Sequence, residues 1–362
     1  MRYVEAMLQI RSNSPMTDPP ADYCPVESEN WFKVTEGYDA GKMMFYADFQ
    51  VGDKSPDATI LFVHGNPENS YTYRHIREHL AASGQSFRII APDHIGFGLS
   101  DQADFEMAEM HHAANLLQLV RHLNLQDIFL VVHDWGGPIG IGALLEEPDR
   151  VRGLCVLNSS VFPMPSEGPT YKNFPFPWAP WHLTPKLIPD SLWGGVAAAL
   201  VPSDFDPTKI GAFLPAISKG LWRYGRGDIN AQQPEYVWSQ AFASKANVRS
   251  SKQFVRQTAN WGVGLPYTDK KHGPQDNRPF YVELQAKLSK AWGIAGANIP
   301  GCLHFGKWDP LAKNSVIAQW HTALPRLARH TTLYDQTGHF VEEQKGPEIS
   351  RSIIETICTS SS

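Results

Sequence analysis

The stretch VVHDWGGP, Val131 to Pro138, limits more than any other what this chain can become. An apolar run, Ile128 to Val132, reads as a buried strand. It meets His133, Asp134, Trp135 and two glycines before Pro138 opens a helix. A strand that turns at once into a helix is half of a parallel crossover, and such a strand needs neighbours on both sides. Candidates stand at Ala58–Val63, Phe87–Ala91 and Val151–Leu157, with a further strand over Lys42–Val51. Helical spacing of apolar residues predicts helices over Tyr71–Ser83, Met107–Leu123 and Pro138–Glu147 between them. The alternation returns late, as strand Gly301–Phe305, helix Leu311–Ala323, strand Thr331–Tyr334 and helix Pro347–Ile357. The expected class is α/β, a mostly parallel sheet with helices on both faces.

The rhythm is absent at two places. Residues 1–41 are Pro- and Ser-rich without a strong period and read as a loosely packed N-terminal arm. Residues 161–294 carry Trp178, Trp181, Trp193, Trp222, Trp238, Trp261 and Trp292, out of 11 tryptophans in the chain. Helical segments are expected there near Leu187–Leu200, Lys209–Lys219 and Pro234–Trp261. An aromatic helical insertion between sheet strands suits a cap over an active site, because open α/β sheets bind at the C-terminal ends of their strands. Trp-rich packing of a second layer is the plainer account. The core domain is then 42–160 with 295–362.

Charge and composition exclude other classes. Lys plus Arg (32) fall below Asp plus Glu (37), so no basic footprint for nucleic acid exists. No run of 18 apolar residues would span a membrane. The four cysteines lie far apart without paired spacing, which argues against a disulfide frame or a zinc site. Cys155 and Cys302 read as small core residues. The start of the chain has no signal-peptide core, and a cytoplasmic protein is the expectation.

Asp134 occupies the nucleophile position of a strand–turn–helix elbow, although Val132 stands where many elbows carry glycine. An aspartate there can also simply cap the helix. Other sheet ends add polar groups: His64-Gly65-Asn66-Pro67 after one strand, Asp309 after the strand CLHF, and His339 after the last strand. The order Asp134, Asp309, His339 is nucleophile, acid, histidine.

Together HGNP, HDWGG and GHFVEE resemble the haloalkane dehalogenases of the α/β-hydrolase superfamily, over roughly residues 42–160 and 300–358. The resemblance implies a cofactor-independent hydrolase that takes a small halogenated hydrocarbon and water to an alcohol and a halide ion. Asp134 would attack the carbon, since a carboxylate is already anionic at neutral pH. His339 would activate water against the resulting ester, and Asp309 would orient His339. Asn66 and Trp135 would hold the halide through side-chain N–H groups, and their backbone N–H groups would form the oxyanion hole. Asn158 stands where some members carry the triad acid as Glu, so the resemblance is to the smaller subfamily with an Asp–His–Asp triad.

Epoxide hydrolases share the aspartate nucleophile but protonate the leaving oxygen from cap tyrosines. Tyr171, Tyr224, Tyr236, Tyr267 and Tyr281 keep that alternative open, as does a binding protein that has lost the chemistry. His133 reads as a packed supporting histidine, His64 as a bridge between loops, and Asp93 and Asp101 as structural. No metal pattern accompanies His111 and His112, and oligomeric state is open.

Overall fold

The computed structural model describes residues 10–360, so the first nine residues of the expected arm lie outside it. Before the cap come β1 (Glu29–Lys33), β2 (Met43–Val51), β3 (Ala58–Val63), α1 (Arg74–Ala81), β4 (Phe87–Pro92) and α2 (Glu109–His122). Next are β5 (Ile128–His133), α3 (Gly136–Leu144) and β6 (Val151–Leu157). The insertion holds the short hairpin strands β7 (Pro175–Phe176) and β8 (Ala179–Pro180), then α4 (Thr184–Leu187), α5 (Trp193–Leu200) and α6 (Ile210–Gly225). It continues through α7 (Glu235–Ser239), α8 (Lys245–Gln257) and the hairpin of β9 (Pro266–Asp269) with β10 (Gly273–Asp276). The chain closes with α9 (Arg278–Trp292), β11 (Gly301–Gly306), α10 (Asn314–Ala323), β12 (Thr331–Tyr334) and α11 (Val341–Ser360).

The main sheet runs β1-β2-β4-β3-β5-β6-β11-β12. Pairings from β4 to β12 are parallel, and β1 and β2 pair antiparallel at one edge. Every residue of β5 is buried, as a strand covered by helices on both faces must be. Register sets the site: Val63 pairs with Val132 and His133 with Leu157. The first residues beyond β3, β5 and β6 are therefore neighbours at one end of the sheet, where His64, Asp134 and Asn158 stand.

Three expectations change. Residues 10–41 are not a loose arm: β1 pairs with β2, and Met16, Tyr23 and Val34 are almost wholly buried. Ser12 Oγ donates to Leu99 O, Ser14 Oγ to Gly98 O and Tyr23 OH to Asp93, so this segment is sewn to the loop after β4. The Pro and Ser residues that hide it from periodicity are the ones making turns and side-chain bonds. Second, α9 lies against α3, and Trp292 donates its indole N–H to Pro148 O. The helical layer of the core thus resumes at Arg278 rather than at residue 295. Third, the helix expected over Pro234–Trp261 is interrupted, because Ser244 caps α8 by accepting from Asn247 N. Among the described residues no helix is long and apolar enough to cross a membrane.

Candidate active site

Asp134 has φ +50°, a left-handed conformation that non-glycine residues adopt only when their surroundings fix it. The surroundings here are tight. A Cβ on Gly136 would lie 2.0 Å from Val63 O, and one on Gly137 would lie 2.0 Å from Ser159 Oγ. Ser159 Oγ fills that space and donates to Asp134 O at 2.6 Å. Val132 takes the place of the usual elbow glycine because Gly140 on α3 gives way opposite it: a Cβ there would come 3.1 Å from Val132 Cγ1.

The turn presents the Asp134 carboxylate to two partners. Asn66 N donates to Oδ1 at 2.8 Å, and His339 Nε2 stands 3.1 Å from Oδ2. His339 Nδ1 lies 2.6 Å from Asp309 Oδ2, while Leu311 N donates to Asp309 Oδ1 at 2.6 Å. Asp134, His339 and Asp309 are thus brought together in the order expected. Burial opposes a charged imidazole at His339, but the Asp309 charge and the hydrogen bonds to Asp134 and Asp309 outweigh it. The histidine is held well above its usual range, as an imidazolium between two carboxylates.

Supporting residues fix the histidine loop. Asn158 Nδ2 donates to Gly338 O (2.9 Å) and His339 O (2.8 Å), and its Oδ1 accepts from Gly306 N. The position that an acid would need is therefore filled by an amide clamp between β6, β11 and the His339 loop. His133 Nε2 also reaches His339 O at 2.9 Å, and His133 Nδ1 lies 2.6 Å from Glu68, with His133 and Glu68 both buried. His64 Nε2 accepts from His94 N, bridging the loops after β3 and β4. Asp93 accepts from Ser70 N and Leu99 N, and Asp101 from Met43 N and Asn13 N, so both have structural partners.

An apolar cavity opens over the carboxylate, with about 770 Å³ of empty space that includes its open mouth. Asn66, Trp135, Tyr171, Trp181, Phe205 and Phe213 are among its walls. The Trp135 indole stacks on Trp261 with centroids 4.2 Å apart. The indole N–H groups of Trp193, Trp261, Trp292 and Trp320 all have protein acceptors. Among the described residues Trp135 Nε1 has none, and neither does Asn66 Nδ2. Two side-chain N–H donors on residues that share the cavity with Asp134 thus have no protein acceptor among the described residues. The Trp135 backbone N–H is likewise without an acceptor among those residues, so only the Asn66 half of the expected oxyanion hole already holds the carboxylate.

Of the five cap tyrosines only Tyr171 lines the cavity, and its hydroxyl lies 3.2 and 3.3 Å from the two Asp309 oxygens. Burial and the Asp309 charge push its phenol up, so it keeps its proton. Tyr267 donates to Glu106 O, Tyr224 packs on Gly194, and Tyr281 is buried beside Glu109. Among the described residues two groups bring possible metal-ligand atoms within 4.8 Å of one another. Glu68, His133 and His339 are engaged with each other and with the triad, and Cys155, Cys302 and His304 lie buried on β6 and β11. The Tyr171 contact, the Asn158 clamp and the Trp261 stack have no sequence signal, because their partners lie far apart along the chain.

Comparisons agree on family and differ on reaction. The family description "alpha/beta hydrolase fold" matches residues 58–345. A cis-3-alkyl-4-alkyloxetan-2-one decarboxylase of Shewanella oneidensis is 27% identical over 294 residues, covering 80% of this chain and 79% of that protein. Haloalkane dehalogenase 2 of Mycobacterium tuberculosis is 36% identical over 146 residues, 40% of this chain and 46% of its own length. The solved haloalkane dehalogenase of Paraglaciecola agarilytica superposes with TM-score 0.62 at 22% identity, over 92% of this chain and 95% of its own. An epoxide hydrolase of Vigna radiata gives 0.60 at 18%, over 93% and 99%. At such identities the structures speak for the fold alone, and the family match carries the assignment: this chain belongs to the α/β-hydrolase fold family.

Proposed function

We propose that the protein hydrolyses carbon–halogen bonds of small apolar halogenated hydrocarbons, with no cofactor. The observation that carries this reading is the pair of N–H donors, Asn66 Nδ2 and Trp135 Nε1, on residues that line the same apolar cavity as the Asp134 carboxylate. Asp134 Oδ2 attacks carbon in line, the halide leaves toward those donors, and an alkyl ester remains. Oδ1 stays on the Asn66 N–H, ready to carry negative charge when water attacks the ester; one such donor is typically worth about 3 kcal/mol. His339 takes the proton from that water, and alcohol, halide and a proton depart.

A second reading is supported by the Shewanella oneidensis relative, which matches most of this chain. Opening an oxetan-2-one ring by attack at carbon expels a carboxylate, and the same two donors suit that anion. The epoxide reading lacks its acid, since the one cavity tyrosine is turned to Asp309. We expect Tyr171→Phe to lower halide turnover less than about tenfold, the scale of one lost hydrogen bond. A hundredfold loss confined to epoxide substrates would instead make Tyr171 an acid.

The deciding experiment supplies 1-bromobutane, 1,2-dibromoethane and a dialkyl oxetan-2-one to the enzyme and to Asp134→Ala, and follows halide and carbon dioxide. Halide release above the Asp134→Ala control supports the proposal. Carbon dioxide without halide favours the second reading, and neither product favours a binding protein.

A further inference from the structure

Asn66 is governed from the cap. Its side-chain Oδ1 accepts the Ser251 hydroxyl at 2.6 Å, from α8. Ser251 is fully buried, and its Oγ accepts the Trp193 indole N–H from α5 at 2.9 Å. An indole N–H only donates, so this contact occupies a lone pair of Ser251 and leaves its proton free. Among the described residues that proton has no acceptor other than Asn66 Oδ1. Trp193 is fixed in turn: Lys252 Nζ stands 5.1 Å from its ring centroid and is tied to Ile188 O and Asp190.

The consequence concerns which end of the amide meets the ligand. The two ends of an asparagine amide have nearly the same shape and opposite polarity. Reversed, Asn66 would turn an oxygen lone pair toward a departing anion. With Oδ1 bound to Ser251, only Nδ2 can face the cavity that Asn66 lines.

We infer that Ser251, backed by Trp193, is a positioning residue that fixes the Asn66 amide with its N–H toward the leaving anion. This rests on the halide reading given above. The hydroxyl touches neither substrate nor nucleophile; it acts through Asn66 alone. A poorer leaving group leans harder on its donors, so chloride should feel the loss of Ser251 more than bromide.

The test measures chloride and bromide binding by tryptophan fluorescence, and kcat and KM on 1-chlorobutane and 1-bromobutane. Ser251→Ala should weaken halide binding about tenfold, the size of one lost hydrogen bond with the amide freed to turn. Its kcat should fall further on the chloride than on the bromide substrate, and Ser251→Thr, which keeps the hydroxyl, should recover the chloride-to-bromide ratio. A packing role would lower stability and leave that ratio at the wild-type value, which overturns the inference. Should Ser251→Ala not fold, Trp193→Phe frees the Ser251 lone pair and should shift the ratio the same way by a smaller factor; an unchanged ratio there is equally fatal. If the wild-type protein neither binds nor releases halide, the halide reading falls and this inference with it. Halide binding by the wild type that Ser251→Ala leaves intact overturns the inference only.

Discussion

In the His339→Gln enzyme, halide should appear as one burst of a single equivalent per active site and then stop. Asp134 needs no base in order to attack, so alkylation proceeds, and the mass of the protein rises by that of the alkyl group. Hydrolysis of the ester needs a base beside Oδ2, where His339 Nε2 stands at 3.1 Å. Without it, steady turnover should fall by about 10² to 10⁴. Steady turnover at the wild-type rate would remove His339 from the mechanism.

The wild-type pH profile should show the same division. Before attack, burial weighs against the His339 charge, but Asp309 and Asp134 together keep the imidazolium. Esterification cancels the Asp134 charge and removes its hydrogen bond, so the His339 pKa drops and the ring becomes a base when a base is required. Acidification reprotonates it in the ester. Below that lowered pKa, kcat should fall about tenfold per pH unit, the response to one proton, while the burst amplitude persists.

Gly65→Ala should lower kcat/KM by about 10² to 10³. The new Cβ would lie 2.3 Å from Asp134 Oδ1 and 2.5 Å from Asp134 Cβ, inside any tolerable contact. Two responses are available. The carboxylate swings away from the substrate carbon, or the loop after β3 retreats and takes the Asn66 N–H off Oδ1. Both leave the sheet intact, so urea unfolding should change far less than rate. Gly211→Ala, which meets nothing within 4 Å, is the control and should behave as wild type. A Gly65→Ala enzyme with near-normal kcat/KM would mean that Oδ1 is not where the chemistry needs it.

The strands that make the sheet were readable because each is apolar and bounded by turns, as at Ala58–Val63 and Ile128–Val132. The Asp134, Asp309 and His339 cluster was readable because each lies just past a strand end, where sequence position translates directly into place. Residues 10–41 carry no such signal because their burial depends on side-chain bonds from Ser12, Ser14 and Tyr23 to one distant loop, which leave no period. The cap was legible only as aromatic and helical. Ser251 and Tyr171 reach Asn66 and Asp309 across 185 and 138 residues, and nothing local marks either contact.

That division has a practical corollary for recombining relatives. The proposed nucleophile, its proposed base and Asn66 itself come from the core, but the hydroxyl bonded to the Asn66 amide comes from the cap. A chimera that joins this core to a foreign cap would inherit the core's nucleophile and the cap donor's hold on the Asn66 amide.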